Sequence, residues 1–278
     1  MIVTRFAPSP TGRLHLGHAY AALFAERAAR AADGRFLLRL EDIDLARCRP
    51  AFADAILEDL AWLGLSWDGP VRRQSEHFAD YRAALDRLAA RGLLYPCFCT
   101  RKDIQEEIAR AGRAPHGPDG PLYPGICRAL PHAEAARRVA AGEPHALRLH
   151  MARACDTVGG ALAFDDRDAG HVVAAPGQFG DVVLARKDVP TSYHLAVTVD
   201  DALQGVTLVT RGRDLLPSTH VHRLLQALLD LPVPAYHHHA LLTDASGSRL
   251  AKRADAASLA ALRDDGVTPA ALRTQLGF

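Results

Sequence analysis

The first 24 residues constrain the fold most, because they predict a strand, a tight loop and a helix in immediate succession. The apolar run at residues 2–6 is typical of a buried strand. A loop with two prolines and a glycine follows, and Leu16, Tyr20, Leu23 and Phe24 then recur at helical spacing. A helix that begins after such a loop presents free N–H groups and its positive dipole end to an anion. The stretch predicts a phosphate site, although an ordinary tight turn fits the same spacing.

Two histidines and a glycine lie where the predicted loop becomes the helix. His15 and His18 can donate hydrogen bonds to phosphate oxygens, and Gly17 lets a nucleotide approach the backbone closely. These three residues are therefore candidate nucleotide contacts. Two surface histidines without a ligand are the alternative interpretation.

Composition limits the class of protein. With 278 residues, 49% of them hydrophobic, the chain can form one large domain or two smaller ones. A net charge of +1 means that any nucleic-acid contact must come from a local patch. No apolar run reaches the ~20 residues that span a bilayer, and no signal peptide is evident. Five cysteines do not form a disulfide framework, so we expect a cytoplasmic protein without membrane contact.

A second strand is predicted at residues 36–40, and Glu41 follows its end. In an open α/β sheet, ligands bind beyond the carboxyl ends of the strands, where Arg5 and Glu41 would both lie. A carboxylate can hold an ammonium group and a guanidinium can hold a carboxylate, which together suit an amino acid. An ordinary Arg–Glu ion pair is the alternative. The βα pattern indicates a Rossmann-like half-sheet, but the dinucleotide fingerprint G-x-G-x-x-G is absent.

The remaining apolar patterns predict further elements. Helices are expected at residues 54–65, 75–91, 133–141, 218–229 and 269–276, and strands at residues 146–150, 180–186, 193–199 and 206–210. The three consecutive histidines at residues 237–239 suit a strand that enters the core. Alternate side chains of a strand point to opposite faces, so these three cannot chelate one ion together.

The middle of the chain carries a candidate metal site. Cys97 and Cys99 form a C-x-C pair and Cys127 follows later, which leaves one ligand short of a tetrahedral zinc set. His116 or His132 could complete a Cys₃His site. Three unligated thiols in a loop are the alternative.

Several motifs together resemble one enzyme family. Residues 5–12 read Arg-Phe-Ala-Pro-Ser-Pro-Thr-Gly and residues 15–18 read His-Leu-Gly-His, which resembles the first signature of class I aminoacyl-tRNA synthetases in their glutamyl/glutaminyl branch. The Glu-Asp-Ile-Asp run at residues 41–44 and the D-x-x-x-G-V stretch at residues 201–206 fit the same branch. Residues 247–253 resemble a degraded second signature, in which Lys252 matches the lysine that stabilises the triphosphate.

The resemblance implies a fold and a domain organisation. We expect an α/β protein with a Rossmann-like class I synthetase catalytic core, split between residues 1–94 and 187–242. An inserted α+β zinc-containing subdomain, residues 95–186, would handle the tRNA acceptor end. Residues 243–278 would form the second-signature loop and a short helical segment, with no anticodon-binding domain.

The resemblance also implies the roles of individual residues. Catalysis would rest on His15, His18 and Lys252, and ATP, accompanied by Mg²⁺, would contact these three and Gly17. L-Glutamate would be bound by Arg5, Phe6, Ala7, Pro8, Ser9, Glu41, Tyr193 and Arg211.

The cysteine region narrows the resemblance further. The pattern C-x-C…Y-x₃-C, formed by Cys97, Cys99, Tyr123 and Cys127, resembles the zinc site of the queuosine-modifying subfamily of this branch. It implies one structural zinc per chain, with the tyrosine oxygen as the fourth ligand. A monomer that activates glutamate without tRNA, and transfers it to queuosine in the anticodon loop of tRNA(Asp), would follow. The alternatives are a truncated glutamyl-tRNA synthetase, an adenylate-forming ligase with a non-tRNA acceptor, and a non-catalytic RNA-binding paralogue.

Overall fold

The computed structural model describes residues 1–110, 116–118, 120–242 and 257–278. The helices in these ranges are α1 (Leu16–Arg30), α2 (Pro50–Trp62), α3 (Phe78–Ala90), α4 (Arg101–Arg110), α5 (His132–Ala140), α6 (Met151–Val158), α7 (Tyr193–Leu203), α8 (Leu216–Leu228), α9 (Leu259–Asp264) and α10 (Pro269–Leu276). The strands there are β1 (Val3–Phe6), β2 (Arg35–Leu40), β3 (Arg72–Arg73), β4 (Leu94–Cys97), β5 (His116–Gly117), β6 (Gly120–Pro121), β7 (Ala146–Leu149), β8 (Ala163–Asp166), β9 (Gly170–Val173), β10 (Val183–Ala185), β11 (Leu208–Gly212) and β12 (Ala235–His239). None of the helices in these ranges is long and apolar enough to cross a membrane.

Parallel strands form the centre of the molecule, as the βα pattern predicts. β1 pairs with β2 and β2 with β3, while β11 pairs with β12, each in parallel. The amide of Thr207, just before β11, donates to the carbonyl of Val3 at 3.0 Å, and Arg5 Nη1 donates to the carbonyl of Thr210 at 3.1 Å. β1 and β11 therefore run side by side in the same direction. Their carboxyl ends, like that of β2, open on the same edge.

Helices α1 and α2 cover one face of β1 and β2. The core there contains Leu23 of α1, Phe36 of β2 and Leu60 of α2, all fully buried. Leu259 of α9 and Leu272 of α10 belong to the same cluster. The final two helices thus pack against the first βα unit, and the predicted helix at residues 269–276 is confirmed.

The segment at residues 193–199, predicted as a strand, is instead the first part of α7. The prediction was wrong because Val197, Thr198 and Val199 are β-branched and favour strands, a weak preference that tertiary packing overrides. In the helix, Leu195 and Val199 face the core that α7 shares with α3 and α8. The same helix carries the following acidic pair into the interior.

The middle of the chain forms a second, antiparallel sheet in the order β10-β7-β4. The β8–β9 hairpin, which also falls within residues 95–186, joins the sheet of β11 and β12, since Tyr236 pairs with Asp166. Strand pairing therefore crosses the boundary that the family resemblance implies at residue 187, and the division into domains stays a prediction.

Candidate active site

A cavity of about 420 Å³ opens where β1, β2 and β11 end. Residues of the first loop line it, and the Glu41 amide donates to the Pro8 carbonyl at 2.9 Å, which ties that loop to the end of β2. Nine residues predicted from the sequence line the cavity: Arg5, Phe6, Ala7, Pro8, Ser9, His18, Glu41, Tyr193 and Arg211. The fold therefore brings together side chains that are more than 200 positions apart in the chain.

The two signature histidines cap helix α1 in a reciprocal arrangement. The Gly17 amide donates to His15 Nδ1 at 3.1 Å, and the His15 amide donates to His18 Nδ1 at 3.2 Å. Both Nδ1 atoms are acceptors, so each neutral ring carries its proton on Nε2. Burial lowers the pKa of His15, and burial together with nearby His15 lowers the pKa of His18 to about 4. At neutral pH the pair is therefore uncharged and can donate through Nε2.

Four ionisable side chains contact one another at the base of the cavity. Arg5 Nε donates to Asp201 Oδ1 at 2.9 Å, and Arg39 Nη1 donates to the same oxygen at 2.8 Å. Arg39 Nη2 also donates to Glu41 Oε1 at 3.2 Å. Burial would raise the pKa of Asp201, but Arg5 and Arg39 hold it below its usual value. Burial raises the pKa of Glu41, although Arg39 and Arg5 oppose this shift. Arg39 thus fixes the orientation of Glu41 and, through Asp201, that of Arg5.

Arg211 has a different environment from Arg5. Its guanidinium is buried, with 6% of the residue exposed, and it donates to Tyr193, Thr219, His222 and His238. All four partners are formally neutral groups. Within the described part of the chain, no carboxylate pairs with this arginine.

Sequence patterns missed the residues that orient the site. Arg39 and Asp201 do not line the cavity. His222 and His238 do not line it either, and they contact Arg211 on the side away from the cavity. Of these four residues, only Asp201 had a sequence signal: it follows a buried apolar run and begins the D-x-x-x-G-V stretch that resembles the family. Their role depends on contacts between distant elements.

The second signature, with Lys252, lies outside the described residues. The residues that follow, from 257 onward, lie beside the first signature. The Leu259 amide donates to the Leu14 carbonyl at 2.8 Å, and Ser258 forms an isolated antiparallel β-bridge with His15. The Ser258 hydroxyl also accepts from the Ala261 amide and caps α9.

The cysteines predicted as metal ligands converge, and their Sγ atoms all lie within 4.8 Å of one another. Cys99 Sγ is 3.4 Å from Cys127 Sγ, and Tyr123 Oη is 3.4 Å from Cys97 Sγ and 3.5 Å from Cys99 Sγ. A tetrahedral zinc with bonds of about 2.3 Å to sulfur needs donor atoms roughly 3.8 Å apart. This donor set fits a four-ligand zinc ion. Neither His116 nor His132 belongs to the group.

Arg148 lies against this cluster. Its guanidinium stacks on the Tyr123 ring, 3.8 Å from the centroid, and its Nε has no hydrogen-bond partner among the described residues. Burial opposes ionisation of Cys97, but the hydrogen bond with Tyr123 and the nearby positive charge of Arg148 lower the pKa of this thiol below its usual value. Burial raises the pKa of Cys99 to about 12 and that of Tyr123 above its usual value, so the shift toward the anionic form that zinc requires is shown by Cys97 and not by Cys99 or Tyr123.

We expect stability to fall as the pH drops from 6.5 toward 4. His18, His194 and His238 have pKa values of about 4 because they are buried, against 6.5 when exposed. Within this window the folded state binds fewer protons than the unfolded state, so the free energy of unfolding decreases as the pH falls. Above pH 7 these groups are neutral in both states, and the free energy of unfolding no longer depends on them. Urea unfolding at several pH values measures how the free energy of unfolding changes with pH, and this slope gives the number of protons taken up on unfolding. In His238→Gln that number should be smaller by about one. A slope that the variant leaves unchanged would contradict the assignment.

Comparison with known proteins agrees with this architecture. The family model of the catalytic domain of class I tRNA synthetases for glutamate and glutamine matches residues 1–277. A glutamyl-Q tRNA(Asp) synthetase of Rhodobacter capsulatus is 50% identical, with 100% of each chain covered. Another, of Symbiobacterium thermophilum, is 46% identical over 100% of this chain and 86% of its own length.

A solved structure shows the same fold. The glutamate tRNA ligase of Elizabethkingia meningosepticum, crystallised in complex with its amino acid, superposes with a TM-score of 0.83 at 26% identity. The comparison covers 100% of this chain and 60% of that protein. These matches confirm the family resemblance: the chain belongs to the class I tRNA synthetases for glutamate and glutamine and, within them, to the glutamyl-Q tRNA(Asp) synthetase family.

Proposed function

We propose that this protein activates L-glutamate with ATP, without needing tRNA, and transfers it to the queuosine base in the anticodon loop of tRNA(Asp). The observation that carries the proposal is the buried Arg211, which lines the cavity without a described carboxylate partner. The names of the full-length relatives support the choice of acceptor.

Glutamate carries a side-chain carboxylate that can balance the positive charge of Arg211 in the cavity. Arg5 is already paired with Asp201, so its remaining N–H groups can orient one substrate carboxylate, while Glu41 accepts from the ammonium group. We assign the side-chain carboxylate to Arg211 and to the hydroxyl of Tyr193, which lies 3.2 Å from Arg211 Nη1. Glutamine would leave this guanidinium buried without a counter-ion, at a cost of about 3–5 kcal/mol. Phe6, Ala7, Pro8 and Ser9 would line the rest of the amino-acid site.

ATP would lie along the N-terminus of α1. The Nε2–H groups of His15 and His18 would donate to phosphate oxygens, and Gly17 would allow the nucleotide to come close. Mg²⁺ would accompany the triphosphate. Lys252 is assigned to the same phosphates from the family motif alone.

The chemistry would proceed in two steps. First, an oxygen of the glutamate α-carboxylate attacks the α-phosphorus of ATP, the bond to the β-phosphate oxygen breaks, and pyrophosphate leaves. Second, a queuosine hydroxyl attacks the carbonyl of glutamyl-adenylate, AMP leaves, and the hydroxyl proton passes to solvent. The chain would contribute positioning and stabilisation of phosphate charge rather than a covalent intermediate.

We also propose that the group of Cys97, Cys99, Tyr123 and Cys127 holds one structural zinc ion per chain. Four protein donors leave no open position, so the metal would organise the chain rather than act on substrate. Residues 95–186 would then form the tRNA-facing insertion of a monomer, and residues 1–94 and 187–242 the catalytic core.

ATP–pyrophosphate exchange without tRNA tests the activation step. We expect exchange that depends on glutamate and is at least about 100-fold weaker with glutamine, because only glutamate neutralises Arg211. Exchange that begins only after tRNA is added would indicate a glutamyl-tRNA synthetase instead. Absence of exchange under both conditions, with tRNA binding intact, would indicate a non-catalytic RNA-binding protein.

Product mapping tests the acceptor. Radiolabelled glutamate transferred to queuosine-containing tRNA(Asp) should remain on the anticodon fragment after nuclease digestion, and tRNA(Asp) without queuosine should accept none. Label on the 3′-terminal fragment would contradict the proposal. Activation of glutamate with transfer to neither RNA would favour a ligase with another acceptor.

A further inference from the structure

Neutral acceptors surround the guanidinium of Arg211 on its protein side. Nε lies 3.1 Å from His238 Nε2, and Nη2 lies 2.6 Å from Thr219 Oγ1. Nη1 and Nη2 are each 3.3 Å from His222 Nδ1. Thr219, His222 and His238 are all buried, with at most 3% of each residue exposed. This cradle, formed by Thr219, His222 and His238, comes from α8 and β12.

The hydrogen bonds fix the tautomers of the cradle. An arginine N–H can only donate, so His238 Nε2 and His222 Nδ1 must both be lone-pair acceptors. The proton of His238 then lies on Nδ1 and is donated to Asp166 Oδ2 at 2.7 Å. The proton of His222 lies on Nε2 and is donated to His194 Nδ1 at 3.2 Å. Each imidazole is therefore neutral and is held in one orientation by a second residue.

The imidazoles of the cradle stay neutral near neutral pH. Burial and the nearby Arg211 lower the pKa of His194 and His238 to about 4, and that of His222 well below its usual value. The carboxylate of Asp166 reaches Arg211 only through the His238 ring. The cradle thus accepts hydrogen bonds from Arg211 on its protein side while contributing no negative charge of its own.

We propose that His222 and His238 are positioning residues that determine substrate specificity: they orient Arg211 through neutral acceptors and so leave its charge to be balanced by the substrate carboxylate. This inference rests on the proposed function and assigns the selection of glutamate over glutamine to the cradle as well as to Arg211. A carboxylate in the cradle would pair with Arg211 internally. The cavity would then no longer need a second substrate anion, and glutamate would lose its advantage.

A pair of isosteric variants isolates the charge. In His222→Asn, the amide Oδ1 replaces Nδ1 as a neutral acceptor, whereas His222→Asp places a carboxylate oxygen at the same position. We measure kcat and KM for glutamate and for glutamine by pyrophosphate exchange in both variants and in the wild type. The ratio of kcat/KM for glutamate to that for glutamine should stay within about tenfold of wild type in His222→Asn and fall by roughly 100-fold or more in His222→Asp.

Several outcomes decide the inference. Equal ratios in the two variants would overturn it, because a merely structural role of His222 would lower both substrates together. Thr219→Asn and Thr219→Asp form a second pair at another acceptor of Arg211, and they replace the first pair if His222→Asp fails to fold by circular dichroism. Absence of glutamate-dependent exchange in the wild type would overturn the proposed function itself, and this inference with it. Wild-type exchange with unchanged ratios in the Asp variants would overturn the inference alone.

Discussion

Replacing Arg211 with glutamine should lower kcat/KM for glutamate by about 10²- to 10³-fold, because a buried substrate carboxylate would lose its charged partner. The amide of glutamine retains hydrogen-bonding capacity and avoids a large cavity. Its main effect is therefore the removal of charge. Pyrophosphate exchange at saturating ATP measures the loss, and most of it should fall on KM for glutamate.

Arg213→Gln is the matched control for this change. Arg213 lies two residues after Arg211 and directly follows β11, but its side chain is 60% exposed and contacts Asp168 at the surface. We expect its kinetics to stay within about twofold of wild type, since exposed ion pairs contribute little. Equal losses in the two variants would indicate a general effect of charge near β11 and would contradict the assignment of Arg211 to the substrate.

Replacing Cys127 with serine should abolish stoichiometric zinc binding, from about one ion per chain to less than one tenth. The thiol is buried, accepts from the Phe98 amide at 3.3 Å, and faces Cys99. Metal analysis of protein purified in zinc-containing buffer measures the loss directly. The thermal unfolding temperature should fall as well, because binding of a structural zinc ion contributes to folding free energy.

The reaction steps should respond differently to this loss. None of the four proposed metal donors lines the cavity, so glutamate-dependent pyrophosphate exchange should remain within about tenfold of wild type while transfer to tRNA falls further. Cys155→Ser is the control, since this half-buried thiol lies outside the cluster. Full zinc content in Cys127→Ser, or equal zinc loss in both variants, would contradict the assignment.

Local patterns were sufficient for the first part of the fold. Strand β1, helix α1 and strand β2 follow from apolar spacing and loop composition, and the structure confirms all three. The convergence of Arg5 and Glu41 follows from the rule that strand ends share one edge of a parallel sheet. The cavity confirms their proximity.

Elements whose character depends on distant contacts were harder to predict. Residues 193–199 have strand propensity but form α7, because that helix fills the space between α3 and α8. The β8–β9 hairpin pairs with β12 across a boundary that no local pattern marks. Short apolar runs fit either kind of element, so only the surrounding packing decides between them.

By itself, the sequence indicated the family, nine of the residues that line the cavity, and the pattern of three cysteines and a tyrosine. Tertiary structure alone decided the charge state of the site. Asp201 neutralises Arg5, whereas Arg211 has, among the described residues, only the neutral acceptors Tyr193, Thr219, His222 and His238. Both arginines follow the same local pattern of an apolar strand. Whether a buried charge is balanced depends on the groups within a few ångströms of it. Tertiary contacts between distant parts of the chain, rather than sequence spacing, bring those groups together.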